Sequence, residues 1–219
     1  MEIKWLNDDF NREKLIVSGD VGGTNTNLAI VGLKEGKYTI LLEMVFSSAQ
    51  INGLIEPIRE LIKEASSKSG DILPKLCCIS AAGAVADNYC QLTNCSWAVD
   101  GGKIEKEVGI KTVVINDFLA ISYGIQSLDV NNPDQIAVLK HADGSCPEPQ
   151  AAVKAVVGPG TGLGVSYIAY HKGEYIPCSS EGGHSGFAPF DEESRNVRDF
   201  IAKKYNNIPG AELFVSGQG

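Results

Sequence analysis

The stretch LIVSGDVGGTN, Leu15 to Asn25, decides how the rest of the chain is read. Leu15 to Gly19 is a short apolar run that reads as a buried strand. It delivers Asp20 into a turn built on Gly22 and Gly23, and Leu28 to Leu33 reads as the strand that returns. Tyr38 to Phe46 makes a third strand, and Lys34-Glu35-Gly36-Lys37 between them suits a hairpin turn. The period then changes. Ile51, Leu54, Ile55, Ile58, Leu61, Ile62 and Ala65 share one helical face, and Pro57 sets the first regular turn near Glu56. Leu76 to Ala81 and Lys111 to Ile115 read as buried strands. Asp100 is placed to cap a short helix that stops at Gly109, and Phe118 to Ile125 reads as another helix. Strands and helices in mixed order after an initial meander indicate an α/β layer fold.

The 219 residues are enough for one large domain or two small ones with a real core. Hydrophobic residues at 43% and charged ones at 21% describe an ordinary globular chain and exclude a disordered one. A net charge of −8 argues against bulk nucleic-acid or anionic-membrane binding. It leaves room for a phosphorylated ligand, because backbone amides hold phosphate without lysines. No apolar run reaches the roughly 18 residues of a membrane span, and Met1 to Phe10 is polar and acidic, without an apolar signal core. The six cysteines lack zinc-site spacing and are expected to be reduced and mostly buried, in a cytoplasmic protein.

A second Gly-rich turn, Gly158-Pro159-Gly160-Thr161-Gly162-Leu163-Gly164, follows another apolar run. Placing Gly23-Thr24 over Gly160-Thr161, an offset of 137, also puts Gly36 on Gly173 and Tyr38 on Tyr175. The shared pattern is strand, Gly-rich turn with Thr, strand, polar Gly turn, strand, so the fold is expected to be duplicated. The first unit is expected over 1–125, a connecting stretch over 126–151, and the second unit over 152–219. At the same offset Leu76 meets Leu213, so Leu213 to Gly217 (LFVSG) is expected to form the fourth strand of a second copy that is cut short.

Four constellations carry candidate chemistry. Asp20, Gly22, Gly23, Thr24 and Asn25 suit a phosphate-gripping turn with a carboxylate near a phosphate-bound Mg²⁺; an ordinary hairpin turn uses the same residues. Gly160, Thr161 and Gly162 offer a second such turn. A dinucleotide-binding loop is rejected there, because Val165 to Tyr170 reads as a strand and that loop must lead into a helix. Asn116 and Asp117 end a buried strand, where α/β sheets open their clefts. Asp117 can act as a general base toward a hydroxyl or as the cap of the helix from Phe118. Glu181 and His184, with Gly182 and Gly183 between them, suit hydrogen bonds to a polyhydroxylated ligand. They lack the partners of a metal site, and His141 and His171 read as ordinary loop residues.

In this order the pieces DVGGTN (20–25), LTNCSWAVD (92–100), INDF (115–118), GPGTGLG (158–164) and EGGHSGFAP (181–189) resemble the non-zinc bacterial-type glucokinase family, from about Leu15 onward. That family belongs to the superfamily of sugar kinases, actin and Hsp70 ATPases. The related repressor/kinase family carries a cysteine zinc motif after its EGGH-like loop, and Phe187 to Phe190 here has none.

The resemblance implies an actin-like ATPase fold with two RNase H-like units and a cleft between them. It implies ATP-dependent phosphorylation of glucose to glucose 6-phosphate, the first step of glycolysis, with Mg²⁺ and no nucleic-acid or membrane partner; a homodimer is the assembly to test. Asp117 matches the catalytic base. Asn116, Glu181, His184 and, with less motif support, Glu212 match glucose contacts. Asp20 matches the acidic residue near Mg²⁺. Gly22 to Asn25 and Gly160 to Gly162 match the two phosphate loops. Ala84 stands where many relatives have Pro, which alters a wall of the sugar cleft. Family members also continue past Gly219, so the chain alone is expected to lack turnover. The competing readings are another ATPase of the superfamily with a different acceptor, and a non-catalytic sugar-binding regulator.

Overall fold

The computed structural model describes residues 1–92, 95–148 and 150–217. Thr93 and Asn94 of the LTNCSWAVD motif, Pro149 of the connecting stretch, and Gln218 and Gly219 lie outside the described residues. The strands are β1 (Glu2–Trp5), β2 (Lys14–Val21), β3 (Asn25–Lys34), β4 (Lys37–Ser47), β5 (Leu76–Ala81), β6 (Val85–Ala86), β7 (Tyr89–Gln91), β8 (Ala98–Asp100), β9 (Lys111–Asn116), β10 (Lys154–Pro159), β11 (Leu163–His171) and β12 (Glu174–Ser180). The helices are α1 (Ile55–Ser69), α2 (Gly101–Val108), α3 (Asp117–Ile125), α4 (Glu192–Tyr205) and α5 (Glu212–Val215). The chain divides into two compact units, Met1–Asp117 and Phe118–Gly219. The division falls at the start of α3, so that helix packs with the second unit, whereas the sequence reading had closed the first unit after it.

The first unit is a six-stranded sheet in the order β1-β4-β3-β2-β5-β9. β2, β3 and β4 form the expected antiparallel meander, and β5 and β9 add in parallel to the far side of β2. Parallel neighbours need a crossover, which α1 supplies between β4 and β5. Both strands and helix obey their periods. β3 buries Thr26, Leu28 and Ile30 in alternation, and α1 buries Pro57, Ile58, Leu61 and Ala65. Pro57 sits in the first turn of α1, where its missing N–H costs no helical bond. Asp100 caps α2 by accepting from the Lys103 amide at 2.9 Å, and Gly109 ends it at φ +78° in the left-handed region.

Two features of this unit escaped the sequence reading. β1 pairs antiparallel with the edge of β4. Its Trp5 meets Phe10 edge-on at 6.1 Å and lies under the Lys68 ammonium at 3.9 Å. Between β5 and α2, the strands β6, β7 and β8 form a small sheet in that order.

The second unit repeats the meander as β10-β11-β12, antiparallel throughout. The aligned turns agree residue by residue in backbone conformation. Glu35 and Gly36 have φ of +51° and +73°, and Lys172 and Gly173 have +50° and +89°. Both are the doubly left-handed turn that fits the right-handed twist of a hairpin. No described residue from 126 to 151 lies in a helix or strand.

The repeat fails at its far end. Glu212–Val215 is a helical turn, not the fourth strand expected from the alignment of Leu213 with Leu76. An apolar run this short has no intrinsic preference. Local bonds from Leu213 N to Gly210 O and from Ser216 N to Glu212 O close the turn, and Phe214 stacks on Phe187 at 3.7 Å. α4 was also not anticipated, although Asp191 and Ser194 form a capping box at its start.

The cysteine expectation needs one correction. All six are free thiols as expected, but only Cys77 and Cys90 are buried, while Cys146 and Cys178 are exposed. Burial pushes the Cys77 thiol up to about 12, which keeps it protonated and unreactive.

Core is distributed unevenly. Every buried hydrophobic residue among those described lies in the first unit except Val156 and Ile168. Phe200 on α4 and Tyr167 on β11 are 67% and 43% exposed. Local stability follows buried apolar contact. Amides of β10 to β12 are therefore expected to exchange with deuterium faster than those of β2, β3 and β5. Equal protection in the two meanders, measured peptide by peptide, would contradict this.

Candidate functional site

Asp20 leaves the sheet near the end of β2, paired in register with Asn27 on one side and Ser80 on the other. The Ser80 hydroxyl donates to Asp20 Oδ1 at 3.3 Å, and the carboxylate remains exposed. The turn that follows is closed by Gly22 N donating to Asn25 O at 2.9 Å. It is held from below by Ser48, which is 1% exposed. The Ser48 hydroxyl donates to Gly22 O at 2.8 Å, and its amide donates to Thr24 O at 2.9 Å. Having spent its one proton on Gly22, Ser48 Oγ accepts from the buried Thr26 hydroxyl at 2.9 Å. Trp97 Nε1 donates to Ser48 O at 3.0 Å and holds this anchor in turn. The Cys95 thiol lies 3.8 Å from Gly23 O.

Asn116 is the last residue of β9, opposite Ala81 of β5, and Asp117 opens α3. The helix begins one residue earlier than read from the sequence, so Asp117 is a first-turn residue. Its half-buried carboxylate is oriented by its neighbour. Asn116 Nδ2 donates to Asp117 Oδ1 at 2.9 Å and to Gly83 O at 3.1 Å. Gly83 has φ +158° and lies against Cys90; a Cβ on it would come within 3.0 Å of Cys90 Sγ. Burial and then the Asp117 carboxylate push the Cys90 thiol up, which keeps it neutral beside the acid.

In the second unit, Gly160 to Gly162 link β10 to β11 in a tight hairpin, with Gly160 N donating to Gly162 O at 2.8 Å. A strand follows it, as expected, and not a helix. Gly158 and Gly164 face each other across the ladder, and the Phe118 ring occupies the space their side chains would take. Their absence of Cβ is a packing requirement; neither carries a positive φ. Gly183 packs on the Leu163 backbone in the same way. Gly182–His184 form one 3₁₀ turn, which eclipses residues three apart. This brings His184 Nδ1 to 3.2 Å from Glu181 Oε2, with both side chains about two-thirds exposed (69% and 66%). Glu212 lies on α5, and its Oε2 accepts from Leu163 N at 3.0 Å.

Three local groupings emerge: Asp20 with Gly22 to Asn25; Asn116 with Asp117; and Gly160 to Gly162 with Glu181, His184 and Glu212. The first two lie in the first unit and the third in the second. Sequence reading missed Ser48, whose only mark is a Ser after a strand, because its role comes from a partner 26 residues away. It also missed Asn88. In the left-handed conformation, that side chain donates to Thr112 O at 2.9 Å and accepts from Val114 N at 2.7 Å, like a short extra strand beside β9. Among the described residues no three His, Cys, Asp or Glu side chains cluster as a metal cage. No helix among them is long and apolar enough to cross a membrane.

An antiparallel meander extended by two parallel strands, with glycine hairpins and an acidic residue near the end of its first strand, defines the actin-like ATPase fold. Similar proteins narrow the class. The family model described as Glucokinase matches residues 17–219. A glucokinase from Synechocystis sp. is 35% identical over 212 residues, covering 93% of this chain and 58% of the relative. The crystal structure of a glucokinase from an Antarctic psychrotroph superposes with a TM-score of 0.76 at 25% identity, covering 95% of this chain and 62% of that one. A ROK-family glucokinase from Streptomyces griseus, solved with glucose and AMPPNP, gives a TM-score of 0.52 at 22% identity, covering 80% and 51%. The chain belongs to the glucokinase family. It spans 58% of the length of these curated relatives.

Ser48→Ala removes the proton that Gly22 O receives and the acceptor that the Thr26 hydroxyl uses. Leaving buried polar groups unpaired costs about 1–3 kcal/mol. The expected result is a lower urea midpoint with an unchanged slope, and faster amide exchange over residues 22–26. An unaltered midpoint would show that Ser48 does not carry the turn.

Proposed function

We propose that this protein is an ATP-dependent glucokinase that converts glucose to glucose 6-phosphate. The single observation that carries the reading is the Asn116–Asp117 pair at the end of a parallel strand. There an amide that already bonds Gly83 O also orients the carboxylate. Family membership supports the substrate, and the Streptomyces griseus relative solved with glucose and AMPPNP supports both ligands.

In this proposal Asp117 accepts the proton of the sugar's 6-hydroxyl as that oxygen attacks the γ-phosphorus in line, and ADP departs. Asn116 holds the carboxylate in the orientation that the transfer needs. Glu181, His184, Glu212 and Asn116 hydrogen-bond the remaining glucose hydroxyls. Gly22, Gly23, Thr24 and Asn25 form one phosphate loop and Gly160, Thr161 and Gly162 the other, both through backbone amides and the Thr hydroxyls. Phosphoryl transfer depends mainly on such positioning and on charge stabilisation. Asp20 fits a Mg²⁺ site of the water-rich kind, since it is a lone exposed carboxylate beside a phosphate loop. The bound ion would neutralise charge on the phosphate oxygens. Six free thiols support a cytoplasmic location.

Asp117→Asn keeps size and most hydrogen bonding but cannot take the proton. In a form that spans the full length of the glucokinase relatives, turnover is expected to fall by about 10²–10⁴ or more, with glucose Kd little changed. A coupled assay and calorimetry on one preparation check both, and near-normal turnover would remove Asp117 from the mechanism.

Glu181→Ala and His184→Ala are each expected to weaken glucose binding by about 1–3 kcal/mol and leave nucleotide binding nearly intact. Loss of nucleotide affinity with glucose affinity unchanged would reverse the assignment of the loops.

A further inference from the structure

The loops of the second unit are tied together through one side chain. Glu212 Oε2 accepts from Leu163 N, the first amide of β11 after the Gly160–Gly162 turn, at 3.0 Å. The same carboxylate fills the space beside Gly162, where a Cβ would lie 2.7 Å from Oε2. The other end of the turn is held from the same segment, with Gly217 N donating to Gly160 O at 2.8 Å. That segment is anchored to the loop carrying Glu181 and His184. Ala211 N donates to Ser185 O at 2.8 Å, Phe187 N donates to Pro209 O at 3.0 Å, and Gly186 bridges Gly210. Phe214 stacked on Phe187 fixes the contact.

We infer that Glu212 is a positioning residue for the second glycine loop: its carboxylate latches the Leu163 amide and thereby couples that loop to the Glu181–His184 loop. A carboxylate has two oxygens and about four acceptor sites. Oε2 serves the loop amide, and Oε1 remains for a hydroxyl of the sugar. One rigid group thus reads both sides, so that a sugar drawing on Glu212 also steadies the turn that grips phosphate. The latch itself rests only on the geometry above. Its coupling to sugar rests on the glucokinase reading.

The decisive measurement is amide exchange over residues 159–166 of the purified protein without ligand. Wild type, Glu212→Ala, Glu212→Gln and Glu181→Ala are compared, each checked for folding by circular dichroism. Glu212→Ala is expected to speed exchange at Leu163 by about tenfold or more, the worth of one charge-assisted bond. Glu212→Gln keeps an acceptor oxygen and restores most of the protection, and Glu181→Ala leaves it unchanged. Leu163 exchange that is the same in wild type and Glu212→Ala overturns the latch, whatever the protein catalyses.

Binding of glucose and of Mg²⁺-AMPPNP then tests the coupling. Glu212→Ala is expected to weaken both ligands several-fold and Glu212→Gln to recover the nucleotide, whereas Glu181→Ala weakens glucose alone. Accelerated exchange with nucleotide affinity intact would overturn the coupling. If a wild-type form spanning the full length of the relatives binds neither ligand, the glucokinase reading fails while the exchange result still decides the latch.

Discussion

A glycine hairpin must be held by its backbone, because its own side chains contribute almost nothing to fixing it. In the first unit the Ser48 hydroxyl on Gly22 O meets this requirement, and the geometry of the Asp20–Asn25 turn depends on it. Ser48 is in turn fixed by Thr26 and by Trp97 from the distant β8 region. The second unit solves the same problem with different chemistry. Gly217 and Glu212, from a segment some fifty residues downstream, secure the two ends of the Gly160–Gly162 turn. The hairpins are duplicated, but their clamps are not.

The duplication itself is physical as well as alphabetic. A two-residue turn with both residues at positive φ is costly for all but Gly and a few others. The agreement of Glu35-Gly36 with Lys172-Gly173 in conformation therefore says that both meanders twist alike. Past the meander the units diverge. The first passes through a helix into parallel strands beside β2, whereas the second folds Gly210 to Phe214 back onto the Ser185 to Phe187 loop. An alignment offset continued to Leu213 therefore predicts a strand where a helical turn stands.

Much of the architecture was legible in the residues. The periods of β3 and α1, the Asp100 and Gly109 caps and the limits of β5 are local properties, written in apolar spacing and in a few residues with special backbone needs. The candidate groups were legible too, since Asp20, Asn116, Asp117, Glu181 and His184 all stand at strand ends or in Gly-rich turns. β1, the β6-β7-β8 sheet and α4 were not, because β1 has only four residues and is mostly exposed, the small sheet has strands of two or three residues, and α4 buries no residue.

By itself, then, the sequence determined the α/β meander, its repeat, the rejection of a dinucleotide loop, and which polar side chains were candidates. Each of these follows from periodicity or from what Gly, Pro and Asp permit within a few residues. Only the tertiary structure decided that Ser48 carries the first turn, that Gly158 and Gly164 are glycines to admit the Phe118 ring, and that Glu212 reaches the Leu163 amide. Those are contacts between residues 26 to 49 positions apart. They are set by which elements pack together, and no local propensity of Ser, Gly or Glu records them.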